Sequence, residues 1–464
     1  MKINKIFETA KDTENRIREL SLEDRKQKEK RYLACTIHIN PSCEYQEFEG
    51  FGGALTESSG YVLSLMPAEK RKEIIEAYFS NSGIGYTLAR THLNSCDFSL
   101  ENWACVEKKD ESLNSFSMER TDKYITPLIK ETQECVSKNG KLKLLISPWS
   151  PPAWMKDNND MNHGGKLLKK YYSLWANYFV RFIDELGKRG IDTWSVSVQN
   201  EPAAVQTWDS CIYSAEEEAD FAINYLGPAL EKYSGGKPDQ KNKIKIFVWD
   251  HNRDLLWERF SASMSVSGAD KYIDGAAFHW YSGDQYENLA KVSKAWPSKS
   301  LIFTEGCIEG GPRPGAWFSG ERYAHNIIND LNNGCTGWID WNIALDMQGG
   351  PNHVTNNCDA PVLADTKKGE VHYMSSFYYI GHFSKFIKPQ AKRVEIKIDA
   401  YRTPATADGL MGNMMEMCAF KNTDGTIALV VMNRTEADMI YVLNTGSETV
   451  LRCPPRGIQT LLLT

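Results

Sequence analysis

WSVSVQNEP, residues 194–202, places Trp194, Val196 and Val198 at alternate positions and then closes on Asn200, Glu201 and Pro202. A run this short reads as a strand. Its polar end reads as a rim, with Pro202 starting the turn that leads away. The same form recurs along the chain in FEGFGGALT (48–56), GYTLARTHLN (85–94), KLKLLISPWS (141–150), KIKIFVWDHN (243–252), IDGAAFHWY (273–281), SLIFTEG (300–306) and CTGWIDWNI (335–343). That makes eight strand candidates in all.

Between them lie helical stretches such as MPAEKRKEIIEAYFS, KYYSLWANYFVRFIDELGKRG, SAEEEADFAINYLGPALEKY and ERYAHNIINDLNNG, several with apolar residues at i, i+3 and i+4. Strands covered by helices on the outside and packed on one another inside need not alternate polar with apolar. Eight of them, each followed by a helix, predict a (β/α)8 TIM barrel, and polar residues at so many strand ends favour closure over an open doubly wound sheet.

From about residue 390 the period becomes two. RVEIKID alternates through Val394, Ile396 and Ile398, MMEMCAFKNTDGTIALVVMN reads as two strands around an Asn/Asp/Gly turn, and DMIYVLN and GIQTLLLT add more. This predicts a small β-sandwich-like domain, formed mainly by the C-terminus and joined by the strand-like YLACTIHIN near the N-terminus. The expected organisation is a charged arm or helix over 1–30, an N-terminal strand over 31–46 joining the β domain, the barrel over 47–388 and the C-terminal β domain over 389–464.

The chain has 464 residues, 42% of them hydrophobic and 25% charged, with a net charge of -6. No basic field is available for nucleic acid. No apolar run is long enough to span a membrane and no leader-like apolar segment opens the sequence, so stable membrane insertion is not expected and the sequence predicts a cytoplasmic protein. Eleven widely spaced cysteines form no CxxC pair. They argue against a structural zinc and against a disulfide framework, and neither a metal nor a cofactor is expected. Oligomeric state is not legible.

In a barrel the strand C-termini converge on the active site. Glu201 and Glu305 stand at the ends of strands four and seven, where two carboxylates can address one centre. That is what glycoside hydrolysis needs: one acid for the leaving oxygen and one carboxylate for the anomeric carbon. Glu305 is expected to stay ionised and Glu201 to hold a proton, because two close carboxylates resist double ionisation. Asn200 can donate to the sugar 2-hydroxyl. His279 and Tyr281, two apart on strand six, share a face. They read either as donors near Glu305 and the substrate or as a packed pair.

The segments FEGFGGALTESSG, CDFS, SPWSPPAWMK, QNEP, FHWY, TEG, GWIDWNIALDMQGGPNHVTNNCDAPV and FYYIGHFSKFIKP together resemble glycoside hydrolase family 30 of clan A, in its glucocerebrosidase-like (glucosylceramidase) subgroup. The resemblance implies that Glu201 is the acid/base, that Glu305 is the nucleophile and that anomeric configuration is retained. It also implies sugar contacts for Asp97, Trp154, Trp341 and Asn356, although by itself Asp97 could equally be a helix cap or an ion-pair partner.

The expected function is therefore a retaining β-glycosidase acting on terminal β-glucosyl groups of a small glycoside, an oligosaccharide or a glycolipid. β-Xylosidase, β-fucosidase and endo-β-1,6-glucanase activities are the alternatives. A non-enzymatic carbohydrate-binding protein would need neither positioned glutamate.

Overall fold

The computed structural model describes residues 1–28, 33–137, 140–235, 243–400 and 415–464. In chain order the strands begin with β1 (Ile3–Ala10), β2 (Arg18–Leu20) and β3 (Leu33–Glu47). The barrel strands follow: β4 (Phe51–Ala54), β5 (Leu88–Leu93), β6 (Lys143–Pro148), β7 (Thr193–Ser197), β8 (Lys245–Asn252), β9 (Gly275–His279), β10 (Ser300–Glu305) and β11 (Gly337–Asn342). All eight pair in parallel and close in the order β4 to β11 and back to β4. The TIM barrel is thus built from the eight runs expected to form it.

Period-two alternation along these strands fills the barrel in layers. Leu88, Leu145, Phe247, Ala277, Ile302 and Ile339 form one buried apolar layer. Two residues further along several of the same strands the interior turns polar, with Arg90, Ser147 and Thr304 all fully buried. A third step reaches Trp149 and Trp341. The apolar layer plugs the barrel below, and the polar layer carries the site.

After the barrel come β12 (Leu345–Asp346), β13 (Val362–Asp365) and β14 (Glu370–Tyr373), a small three-stranded sheet that the sequence reading did not anticipate. Then follow β15 (Lys392–Ala400), β16 (Met415–Lys421), β17 (Ile427–Asn433), β18 (Met439–Asn444), β19 (Glu448–Cys453) and β20 (Gly457–Leu463). They join the N-terminal strands in one nine-stranded sheet, ordered β19-β18-β3-β15-β16-β17-β20-β1-β2.

This sheet curls around its own core. Ile6, Ile37, Met417, Leu429, Tyr441, Leu451 and Leu461 share one cluster although they come from strands far apart in the order. The two edges are stitched by the segment after β2, where Gln27 donates to the Val450 carbonyl at 3.0 Å and Arg452 to that of Arg25 at 2.9 Å. Alternate residues face the barrel instead. Cys418, Phe420, Ala428, Val430 and Met432 belong to the large barrel cluster, whereas Met417, Ala419, Leu429 and Val431 face the sandwich core.

The first residues depart from the expected charged arm or helix. β1 pairs antiparallel with β20 and β2 pairs with β1. The charges mislead because most of them lie in the turns and the segment that flank β1 and β2, Lys5, Arg18 and Glu19 take exposed strand positions, and Glu8 is buried and answered by Arg25, Asn15 and Gln459. The N-terminal strand expected over 31–46 is β3, paired with β15 and β18; residues 31 and 32, and Met414 at the start of the expected hairpin, lie outside the described residues. No described helix is long and apolar enough to cross a membrane.

Candidate active site

Arg90 is the centre of the polar layer. Its Nη1 donates to Glu305 Oε2 at 2.7 Å, its Nη2 to Asn200 Oδ1 at 2.8 Å and to Asp250 Oδ2 at 2.9 Å, and its Nε to Ser147 at 3.1 Å. A guanidinium this deep is tolerable only because every face is answered. Asp250 is equally buried and takes further hydrogen bonds from Ser147 at 3.0 Å, Ser197 at 2.5 Å and Thr304 at 2.5 Å. The bulge in β8 turns its carboxylate inward, with Trp249 and Asp250 both at positive φ (74° and 43°).

Glu201 also sits in the left-handed region, at φ 47°. Its amide donates to the Asp250 carbonyl at 2.9 Å, and the Asn200 amide donates to that of Pro148 at 2.8 Å. These bonds hold a conformation that bulky residues avoid and that recurs where function demands it. Glu305 needs no such device, since it is the last residue of β10 and a register shift against β9 accompanies it.

The two carboxylates meet at His279. Its Nδ1 faces Glu201 Oε1 at 3.2 Å and its Nε2 faces Asp250 Oδ1 at 3.1 Å, while the Tyr281 hydroxyl donates to Glu305 Oε1 at 3.1 Å. An oxygen of Glu201, an oxygen of Glu305 and a ring nitrogen of His279 all lie within 4.8 Å of one another. Such a set could ligate a cation, but the Arg90 guanidinium already supplies positive charge to Glu305. The close approach suits double displacement, for which carboxyl groups stand about 5–5.5 Å apart, rather than inversion at about 6.5–9.5 Å.

Charge is distributed differently from the expectation. Both ring nitrogens of His279 face carboxylate oxygens, which an imidazolium satisfies with two donors. Burial alone would push His279 down, but the Glu305 charge and the bonds to Asp250 and Glu201 raise it to about 9. Burial would likewise raise Glu201, yet the His279 hydrogen bond and the neighbouring His251 and His279 charges bring it to about 2. Burial pushes Glu305 above its ordinary value, opposed by the His279 and Arg90 charges. Both directions favour the proton on His279, one hydrogen bond from Glu201.

Above this floor lies a cavity of about 230 Å³ whose lining includes Asp97, Trp149, Asn200, Glu201, Trp208, Tyr281, Glu305, Trp341 and Asn356. Trp149 and Trp341 stack at 5.3 Å with 25° between their planes. Asp97 accepts from Asn356 Nδ2 at 3.2 Å and Asn352 Nδ2 at 3.3 Å, and burial raises its carboxyl to about 7.

Trp154 is not among the wall residues. Its indole donates to the Val106 carbonyl at 3.0 Å and packs edge-on against Tyr171 at 5.3 Å. The neighbouring indole in SPWSPPAW, Trp149, takes the wall position because it follows β6 directly. Arg90 and Asp250 went unselected by sequence reasoning, although a charged residue inside each buried apolar run was a visible signal. His251, 3.8 Å from Glu201, was also missed.

Residues 48–387 match the glycosyl hydrolase family 30 TIM-barrel domain and residues 390–461 the family 30 beta sandwich domain. The chain belongs to glycosyl hydrolase family 30. It is 36% identical to SrfJ from Salmonella typhimurium, with a TM-score of 0.89 and 99% of each chain covered. It is 28% identical to the endo-beta1,6-glucanase BT3312, with a TM-score of 0.83 and again 99% of each chain. It is also 33% identical to the lysosomal acid glucosylceramidase of Mus musculus, over 87% of this chain and 78% of the relative.

This family 30 chain is a retaining glycoside hydrolase. The murine relative overturns the cytoplasmic expectation: a protein one-third identical is named for the lysosome, so an opening without an apolar leader does not assign the compartment.

Proposed function

We propose that the chain hydrolyses terminal β-glucosyl linkages through a covalent glycosyl-enzyme. The observation that carries this reading is the pair of carboxylates at the floor of a compact cavity of about 230 Å³. In this reading Glu305, oriented by Arg90 and Tyr281, attacks the anomeric carbon. Glu201 receives the proton held by His279 and passes it to the departing oxygen. Glycosylation neutralises Glu305, and Glu201, now ionised, takes the proton of the incoming water.

Asp97 and Asn356 would hold sugar hydroxyls, and the amide of Asn200 would address the 2-hydroxyl as the oxocarbenium-like state develops. Trp341 and Trp149 would present indole surface to the ring. The donor in this reading is glucosylceramide or a simpler alkyl, aryl or oligosaccharide β-glucoside, supported by the similarity to an acid glucosylceramidase. Endo-β-1,6-glucan cleavage is the second reading, favoured by the full-length similarity to an endo-beta1,6-glucanase.

A panel of aryl β-glucoside, β-xyloside, β-fucoside, glucosylceramide and β-1,6-glucan, with the product anomer followed by NMR, separates these readings. Release of β-glucose from the glucosides is the expected result. Oligosaccharides released from the interior of β-1,6-glucan, with aryl glucosides untouched, would replace the first reading by the second.

A further inference from the structure

Two thiols meet in the wall of the sugar cavity. Cys307 lies two residues beyond Glu305, and Cys358 lies two beyond Asn356. Both line the cavity and both are 3% exposed. The Cys307 thiol donates to the Cys358 sulfur at 3.1 Å, and the Cys358 thiol points to the Asn356 carbonyl at 3.7 Å. Backbone bonds hold the two segments side by side: Asp359 donates to the Ile308 carbonyl at 2.8 Å and Gly311 to that of Asn357 at 2.9 Å. The sulfurs are therefore aligned by a short antiparallel bridge and need close only about 1 Å to reach the bonded separation of about 2.05 Å.

Each sulfur is tied to groups of the site. The Tyr281 hydroxyl touches Cys307 Sγ at 3.4 Å and Glu305 at 3.1 Å. The Asn356 side chain holds Asp97. A covalent link between the sulfurs would pull on both sides of the cavity at once.

We propose that Cys307 and Cys358 are a reversible oxidation site, in which hydrogen peroxide entering through the cavity converts the pair to an intramolecular disulfide and slows hydrolysis. One sulfur attacks a peroxide oxygen, the O–O bond breaks, and a sulfenic acid forms as the first water leaves. The second sulfur displaces the sulfenic oxygen, the S–S bond forms, and a second water leaves. The two sulfurs together give up two electrons, and both thiol protons end in water. A small dithiol reverses the change by thiol–disulfide exchange and departs as its own disulfide.

The test uses the full chain, exposed to hydrogen peroxide and then alkylated under denaturing conditions. The expected result is a mass lower by about two units before alkylation, a linked peptide pair carrying Cys307 and Cys358, and nine remaining alkylatable cysteines (11 − 2 = 9). Hydrolysis is expected to fall on the order of tenfold or more, since a displacement near 1 Å in a site can cost up to about 10²-fold. A dithiol should restore both mass and rate. Cys358→Ser, compared with itself before and after peroxide, should yield no linked peptide. The proposal is overturned by absence of the linked pair in the wild-type chain, by a linked pair with unchanged rate, or by the same reversible loss of rate in the serine variant. The mass readout is independent of which glycoside the enzyme prefers.

Discussion

His279 Nδ1 lies 3.2 Å from Glu201 Oε1, and in the proposed mechanism this contact is the route by which a proton reaches Glu201. A group raised to about 9 keeps that proton throughout the neutral range and loses it as the pH rises through 9. The alkaline limb of kcat/KM is therefore expected near pH 9 in the wild-type enzyme. In His279→Gln it should disappear or move, with kcat/KM on a poor leaving group reduced by roughly 10²–10⁴, the usual weight of acid–base catalysis. An alkaline limb that stays in place in the variant would refute this route.

Glu305→Gln should abolish turnover on both activated and unactivated glucosides. Glu201→Gln should cost roughly 10²–10⁴ on poor leaving groups and much less on a nitrophenyl glucoside, which leaves without help. Burst kinetics with the activated substrate would report the trapped glycosyl-enzyme. Equal losses with both leaving groups would reject the acid role of Glu201.

Arg90→Met removes the guanidinium shared by Asp250 and Glu305 and leaves Asp250 with His279 as its one cationic partner among the described residues. Breaking a buried pair from one side typically costs about 3–5 kcal/mol, so the urea midpoint should fall sharply. Asp250→Asn added to it should recover part of the loss, because that buried charge is then gone. Additive destabilisation by the two changes would argue against the pairing.

Trp149→Phe and Trp154→Phe distinguish the two indoles of SPWSPPAW. The first trims the stacked wall of the cavity and should lower kcat/KM roughly two- to tenfold, as expected for about 0.5–1.5 kcal/mol of aromatic contact. The second removes an indole bonded to the Val106 carbonyl outside that wall. It should leave KM unchanged while lowering the melting temperature.

His382 joins the two domains, with its ring nitrogens facing Thr9 and Thr460 at 2.9 Å each. Burial lowers it to about 3, so the ring is neutral in the folded chain. An unfolded histidine takes up a proton below about pH 6.5, and the native one does not until about pH 3. Stability is therefore complete above pH 6.5 and falls, as pH drops through that window, by about 1.4 kcal/mol per unit. In His382→Gln this contribution should vanish, flattening the acid side of a stability profile measured with urea.

The sequence made the barrel legible because each buried strand ended in a polar residue at its functional rim. WSVSVQNEP and SLIFTEG placed both glutamates, and FHWY placed His279 and Tyr281. Contacts across the barrel were not legible. Arg90 and Asp250 stand 160 residues apart, and nothing local says that they touch. His279 was expected near Glu305 or the substrate, and its ring does lie within 4.8 Å of a Glu305 oxygen; its hydrogen bonds to Glu201 and Asp250 were not legible. β1 and β2 were hidden for another reason. A short edge strand with charges on its outer face has the composition of a solvated helix, and only its pairing with β20 distinguishes the two.

That pairing has a consequence for biogenesis. β1 to β3 are made first, yet their partners β15, β18 and β20 come after the entire barrel. At about 5–20 residues per second, the N-terminal strands wait roughly 20–70 s before a sheet exists to receive them. The barrel is in effect an insertion within the β domain. Until β15 to β20 emerge, the barrel also lacks Phe420, Val430 and Met432 of its own core cluster, so its packing is completed only when the last strands arrive.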